Sequence, residues 1–595
     1  MKSVSPKLVL IFPLLFSILF SQDIQWRSLN EPGSGGRITD VGISPFNPKK
    51  ILVSGDMLGL TYSEDGGKSW LPSYGFNSYE LAAISFHPTD SQVVWVGSMS
   101  GPFKSEDGGL IWQSKRRGMD PIKRGSFSCP VEIILFDPFQ PNRLLAFGGS
   151  KREWSSPGSP RWSVIWESTD DGENWSYLST VGIEEKPGIT AAAFIDRNKI
   201  AVAAAQQGLY LSSDNGQSWS KSENGLPTNP YVLHVTVNPQ NKDILYTSIK
   251  HYLQSGNYMP GGVFKSVDGG QNWSNASNGL EQSANSNPNQ ASWYKTVKVA
   301  PSNSNVLYTA NSGWTNSGVY KSMDAGSSWQ AILNKSSTQN FPTAFFTAAG
   351  PELSVFDIGS ADPNIFVGGS STNVFATSNG GNTWTDLMSI PTNDPLYFKG
   401  NGFCGLVSRM VAFNPYDPSH IVLQSMDDGK FMHTKDELET WAWAGRGMSN
   451  YAGGRDVCFA TADIIYCTTG QSNFDGVWKS TDQGQTWSKF GIADFPNANP
   501  NVFPNGIHCL PGSSNKVWVV LDDKLYRSRN GNGNWEVVLS APGLNYISET
   551  STPEHFFLNS AAGVYETLDG ETFTLMPASP TKGNQLRVDP NDNGI

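Results

Sequence analysis

Charge and cysteine are both scarce in this chain. Only 16% of its 595 residues are charged, and the balance is acidic, with a net charge of −11. That argues against nucleic acid as a partner, because binding through phosphates needs a basic surface that displaces counterions. Docking on anionic lipid is disfavoured for the same reason. The five cysteines, Cys129, Cys404, Cys458, Cys467 and Cys509, are scattered and contain no Cys-x-x-Cys pair. Neither a zinc signature nor a dense disulfide framework can be built from them. Cys458 and Cys467 could pair across neighbouring strands, or the thiols could simply be buried. A glycine-rich phosphate loop, a His-Glu-x-x-His motif and a Gly-x-Ser-x-Gly elbow are missing too. The seven histidines show no metal spacing. The sequence therefore calls for no metal and no cofactor.

Long apolar runs are also lacking, with one exception at the N-terminus. Lys2 and Lys7 precede an apolar run from Leu8 to Phe20, and Ser21 opens a polar stretch. The run is too short to span a bilayer and has the layout of a secretory signal peptide, assigned to residues 1–21. An exported protein with no membrane insertion after signal cleavage is expected, outside the cell or in a periplasm.

Glycine, proline and aromatics are plentiful. There are 60 Gly, 37 Pro and 20 Trp, a composition suited to short strands joined by frequent turns. The length is too great for a single hydrophobic core. An internal repeat organises it. The pattern Ser-x-Asp-x-Gly-x-x-Trp ends at Trp70, Trp112, Trp175, Trp219, Trp273, Trp329 and Trp487, and weaker copies end at Trp384, Trp441 and Trp535. Successive copies lie about 42 to 63 residues apart, the range of four-stranded propeller blades with loop insertions. Within the box, Ser and Asp cap a tight turn through nearby backbone N–H groups, Gly takes a conformation other residues resist, and Trp buries a large apolar face. Each box Asp is thus read as structural. Before each box comes an apolar strand, a Pro turn and a second apolar strand, as in "ISFHPTDSQVVWVG" from Ile84 to Gly97. One repeat then reads strand, Pro turn, strand, loop, strand, Asp-box, strand.

The expected fold is all-β, with tandem propellers of four-stranded blades. The first, residues 22–394, would have about seven blades. The second, residues 395–595, restarts near Cys404, where "LVSRMVAFNPYDPSHIVLQSMDD" parallels "RITDVGISPFNPKKILVSGD". The chain ends on "LRVDPNDNGI", the opening half of a blade, so the second propeller is expected to be incomplete. A single ring of ten or more blades is the competing architecture.

Boxes of this kind occur in sialidases, sortilin-type receptors and glycoside hydrolase family 74, the xyloglucanases. The opening "WRSLNEPGSGGRITDVGISPFNPKKILVSGDMLGLTYS", Trp26 to Ser63, resembles the first blade of family 74. The resemblance implies an inverting glycoside hydrolase in which Asp56 is one catalytic carboxylate. Here the family's Thr-Asp-Val-Gly-Gly is Gly-Asp-Met-Leu-Gly, Gly55 to Gly59. "SMDDGKFMHT", Ser425 to Thr434, resembles the segment carrying the second one, which makes Asp427 the candidate, with Asp428 and Asp357 as rivals. The long insertion from Gly148 to Trp166 is similar to family insertions that line a substrate cleft. The fold resemblance covers nearly the whole chain, and the specific one about the first 170 residues. The Arg-Ile-Pro segment of sialidases is missing.

Glycoside hydrolysis usually needs two carboxyl groups across the scissile bond, roughly 6.5–9.5 Å apart in an inverting pair. Asp56 and Asp427 occupy similar positions, each in the first blade of its own propeller, and two facing propellers could bring them together. Flat aromatic rings cover the C–H faces of sugars. Trp154, Trp162 and Trp166 fall in the Ser/Gly/Pro-rich insertion and Trp314 in the loop "NSGWTNSG", and all four are candidate substrate contacts, as is His433. Trp95, Trp478 and Trp518 lie in strand patterns and belong to the core. The expected function is a secreted, monomeric, endo-acting hydrolase of a β-glucan such as xyloglucan, with a polysaccharide or oligosaccharide as its partner. A non-catalytic glycan- or protein-binding propeller and a polysaccharide lyase are the alternatives.

Overall fold

The computed structural model describes residues 31–577 and 579, apart from 34–36, 57–58, 79–80, 120–129, 149–163, 184–187, 206, 288–289, 313–316, 335–352, 371–372, 404–407, 426–430, 449–453, 471–473, 492–503 and 532. Every regular element among them is a β-strand. They form ten four-stranded sheets, one six-stranded sheet and a separate hairpin. In the first sheet Ile38–Ile43, Ile51–Gly55, Gly59–Ser63 and Leu71–Pro72 lie side by side in chain order, each antiparallel to the next. The other four-stranded sheets repeat this order.

The repeat motif explains each element. The Pro turn closes the first hairpin, with the Ser44 N–H donating to the Lys50 carbonyl at 2.9 Å. All five residues of the second strand, Ile51–Gly55, are buried, because neighbouring sheets cover both of its faces. In the box the Gly67 N–H donates to Ser63 Oγ at 2.8 Å, Ser63 Oγ to Asp65 Oδ1 at 2.8 Å, and the Ser69 N–H to Asp65 Oδ1 at 2.9 Å. These bonds to the ionised carboxylate hold box aspartates well below the usual range. For Asp214, Asp268 and Asp324 the value falls to about 2, with the side-chain bonds from Ser218, Asn272 and Ser328 as the largest causes.

The box tryptophan does more than cover its own hairpin. In several boxes its indole N–H reaches the preceding sheet: Trp175 to the Lys115 carbonyl at 2.9 Å, Trp219 to Ser179 at 3.0 Å, Trp329 to Ala276 at 2.7 Å and Trp535 to Gly491 at 3.0 Å, whereas that of Trp112 stays on the Gly109 carbonyl of its own box at 2.9 Å. Its backbone N–H is taken by the segment leaving that sheet, as with Trp112 on Tyr74, Trp175 on Arg117 and Trp219 on Val181. The next residue of that segment is a glycine with positive φ. A Cβ on Gly118, at φ +87°, would sit 2.1 Å from the Trp175 carbonyl oxygen. Glycine is required there on both counts.

The same joint closes a ring. The inner strands Ile38–Ile43, Ala82–Phe86, Ile133–Phe136, Ile189–Asp196, Val232–Val237, Tyr294–Val299 and Leu353–Ile358 each pack on the next, and the last packs on the first. The Ile43 N–H donates to Asp357 Oδ2 at 2.9 Å, and the Trp70 indole reaches the Leu387 carbonyl at 2.6 Å. The buried cluster of Ile38, Val41, Trp70, Val367, Val374 and Phe403 fills the seam. A single ring through all the sheets is thereby ruled out.

A hairpin, Ser389–Pro391 with Tyr397–Gly400, leads on. It pairs along the outer strand Trp441–Trp443 of the next sheet, making that sheet six-stranded. Directly after it, the Asn401 carbonyl accepts the Trp70 N–H at 2.8 Å. The hairpin straddles residue 394 and belongs to both parts. Beyond it the inner strands Ser408–Asn414, Gly454–Phe459, Gly506–Cys509 and Ile547–Glu549 pack in succession as an arc.

Cys458 and Cys467 lie on opposite faces of one sheet, since Cys458 is opposite Tyr466 and Cys467 opposite Val457. A bridge between them is excluded. In this structure Cys458, Cys467 and Cys509 are all in the reduced, unbridged form.

Gly118→Ala is expected to destabilise the protein by about 2–4 kcal/mol in urea denaturation, from positive φ and the clash together. A second expectation concerns Asp386, at the start of the closing seam. Burial pushes its carboxyl up to about 6 despite bonds from Ser389 Oγ and the Met388 N–H. The folded state then holds a proton between about pH 4 and 6 that the unfolded state has released, so this group lowers stability as pH rises through that window. Asp386→Asn should gain on the order of 1–3 kcal/mol over wild type at pH 8 and lose that advantage below about pH 4, as read from urea midpoints.

Candidate active site

In a four-stranded antiparallel sheet the Pro turn and the Asp-box leave by one edge, and the turn between strands two and three leaves by the other. Asp56 lies on that second turn in the first sheet, directly after Ile51–Gly55. It is half-buried. Its N–H donates to the Arg37 carbonyl at 3.0 Å, and its Oδ1 accepts the Arg37 N–H at 3.2 Å. The ladder between the first two strands thus extends onto the carboxylate and fixes its position at the ring's face.

The same Arg37 borders a cavity at the mouth of the ring, together with Thr39, Leu81, Met99, Glu132 and Lys295. These residues belong to different sheets and meet because each lies at or near the start of an inner strand or, for Met99, on the strand-two-to-three turn. Farther round the same face, Lys250 Nζ stands 5.1 Å from the Trp293 ring centre and 5.6 Å from that of Tyr231. Beside them the hairpin Tyr252–Gln254 with Asn257–Met259 rises from the strand-two-to-three connection, with Leu253 and Tyr258 exposed. Leu81, Met99, Glu132, Lys295, Lys250 and Tyr231 were not singled out in the sequence. The usable signal was position: Arg37, Leu81, Glu132, Tyr231 and Trp293 each directly precede an inner strand or stand within a residue of one.

Two expected contacts are corrected. Trp166 lies in the strand Val164–Ser168 with 0% exposure, stacked on Tyr177 with centroids 6.0 Å apart. It belongs to a core cluster with Trp95 and Trp175. His433 is 1% exposed, and its Nδ1 lies 3.1 Å from the Gln483 carbonyl, to which it donates as the Nδ1–H tautomer. Burial pushes its pKa down to about 3, so the ring is neutral. It stands directly before Thr434 of its box, as Lys104 and Lys265 stand before theirs. Those lysines clip the next sheet in the same way, at Asp171 and the Ala325 carbonyl. Neither Trp166 nor His433 presents a surface to a ligand.

The rival Asp357 is engaged inside the ring, accepting the Ile43 N–H and bonding Lys298 Nζ at 2.9 Å. Trp95, Trp478 and Trp518 are core, at 0%, 2% and 0% exposure. Trp154, Trp162, Trp314, Asp427 and Asp428 lie outside the described residues. Their connections, like that of Asp56, run between strands two and three of their sheets. Among the described residues no group of three His, Cys, Asp or Glu side chains could hold a metal ion, and no helix is long and apolar enough to cross a membrane.

Comparison with solved structures bears on the fold. An ancestral GH74 enzyme superposes with a TM-score of 0.74 at 17% identity, covering 92% of this chain and 77% of that one. The GH74 xyloglucanase from Xanthomonas campestris gives 0.56 at 16% identity over 94% of this chain and 88% of its own. The fold is a GH74-like β-propeller. In this GH74-like propeller, residues 163–317, which carry three of the boxes, match the family model described as "Sortilin, neurotensin receptor 3". A xyloglucanase of a Paenibacillus species is 22% identical over 94% of this chain and 58% of its own length. A xyloglucanase of Acetivibrio thermocellus is 26% identical over 30% of this chain and 24% of its own. The chain thus spans under two thirds of the curated relatives it matches.

Trp166→Ala should cost about 3–5 kcal/mol of stability, as for other large core truncations. Melting and urea curves check this; a stable variant with weakened ligand binding would instead return Trp166 to the site.

Proposed function

We propose that this protein is a secreted, monomeric, endo-acting glycoside hydrolase that cleaves a xyloglucan-type β-glucan. In this reading residues 1–21 direct export. Residues 22–394 and 395–595 supply two propellers, and the substrate lies in a cleft between them. The observation that carries it is Asp56, a half-buried carboxylate held by the Arg37 backbone on the ring face that also bears the mouth cavity and the aromatic cluster. Further support comes from the xyloglucanase relative matched over 94% of the chain.

Chemically, Asp56 acts as the base. Its carboxylate takes a proton from a water molecule, which attacks the anomeric carbon from the side opposite the leaving group. Asp427 acts as the acid and donates a proton to the departing glycosidic oxygen, so the anomeric configuration inverts. The Arg37 N–H orients the Asp56 carboxylate. Trp154, Trp162 and Trp314, on the strand-two-to-three connections of the third and sixth sheets, with Trp293 and Tyr231 of the described face, cover the apolar faces of the glucan backbone.

Wild-type protein should release reducing sugar from xyloglucan, with a rapid fall in viscosity as internal bonds are cut. Asp56→Asn and Asp427→Asn should each lower kcat by about 1000-fold or more with little change in melting temperature. Proton NMR of the first product should show the inverted anomer. Full activity in Asp56→Asn would remove that residue from the site, and inactivity of the wild type on every neutral glucan would sink the hydrolase reading.

A further inference from the structure

We propose that Cys458 and Cys509 form a disulfide bond that staples two adjacent sheets of the arc, a modification independent of the hydrolase reading. Cys458 lies in the inner strand Gly454–Phe459 and Cys509 in the next inner strand, Gly506–Cys509. The two strands belong to different sheets and pack directly on each other. Asp456 sets their register, because its Oδ2 accepts the Ile507 N–H at 2.9 Å. Two residues farther along each strand the side chains return to the same face. That brings Cys458 opposite Cys509 across the boundary between the two sheets. Both belong to one buried cluster with Tyr466, Phe490 and Ile507.

The third described thiol is placed differently. Cys467 belongs to the cluster on the other side of its sheet, with Val457, Trp478 and Trp487. The whole thickness of the sheet separates it from Cys458. Geometry therefore selects one pair from the three.

Accessibility sets when the bond forms. Cys458 is 5% exposed and Cys509 2%, and burial pushes both thiols up. Thiolate attack is thus suppressed once the sheets have packed. Oxidation belongs to the folding phase, while the strands are still reachable. The oxidant is a small-molecule disulfide such as oxidised glutathione. One cysteine thiolate attacks it, forming a mixed disulfide and releasing one small thiolate. The second cysteine thiolate then attacks the protein-bound sulfur and expels the other. Two protein thiols are oxidised, one external disulfide is reduced, and the two protons end on the released thiols. The bridge adds a covalent tie across a sheet boundary otherwise held by packing and by hydrogen bonds such as those of Asp456 and Trp535.

The test is to refold the full-length chain from urea in a glutathione redox buffer, alkylate under denaturing conditions and map peptides by mass spectrometry. The expected result is a Cys458–Cys509 linked peptide, two hydrogens lighter than the separate thiol peptides, with Cys467 alkylated. Recovery of Cys458 and Cys509 both alkylated, or joined to other cysteines, overturns the proposal. As an independent readout, the oxidised protein should melt roughly 5–10 °C above the same protein refolded with reductant. The difference should persist in Cys467→Ser and vanish in Cys458→Ser; equal melting of oxidised and reduced wild type also overturns it.

Discussion

The joint at the box tryptophan is the contact on which the rest depends. A four-stranded sheet satisfies its own ladder but has two faces to cover, and here neighbouring sheets cover them. The indole spans the gap, filling it with apolar surface while its N–H meets a carbonyl of the preceding sheet. The backbone N–H of the same residue holds the outgoing segment, and a positive-φ glycine lets that segment approach. One residue thus joins its own turn, the sheet before it and the connection between them. The Ser and Asp of the box fix the turn so that the indole is aimed at the joint.

Repetition of that joint gives the site its foundation. Seven sheets return to their start, and the last joint, at Trp70, uses carbonyls more than three hundred residues away. Closure places the first sheet, and Asp56 with it, against neighbours on both sides. The turns between strands two and three all emerge on one face, which is where insertions accumulate. The opposite face carries the boxes and is occupied with holding the ring. Loops on the free face can therefore change length, as in the hairpin at Tyr252–Met259, without loosening a joint.

The connecting hairpin at residues 389–400 is the second constraint. It adds two strands to the outer edge of the following sheet while Asn401, directly behind it, is bonded to Trp70 and Gly67 of the first sheet. Two attachments leave it little freedom to swing. The proposed active site, with one carboxylate from each part, would need that rigidity, because a shift of about 1 Å at the reacting atoms is costly.

Much of this was legible from residues alone. The boxes, the Pro turns and the strand order come from local patterns, because hydrogen bonds inside one turn and alternation along one strand need no distant partner. The position of Asp56 on a turn was readable for the same reason. Trp166 and His433 were misread because alternation assigns a face without saying what covers it. In these sheets both faces are packed against neighbours, so a residue beside a loop can be wholly buried. The cysteines make the same point: parity along the strands separates Cys458 from Cys467, but only the packing of one sheet on the next brings Cys458 to Cys509. The ring size, too, belonged to the tertiary structure. It is set by the sum of small rotations between sheets, a quantity that no single repeat contains. The sequence by itself determined the repeating unit; how many units close, and which side chains remain at the surface, was decided by their packing.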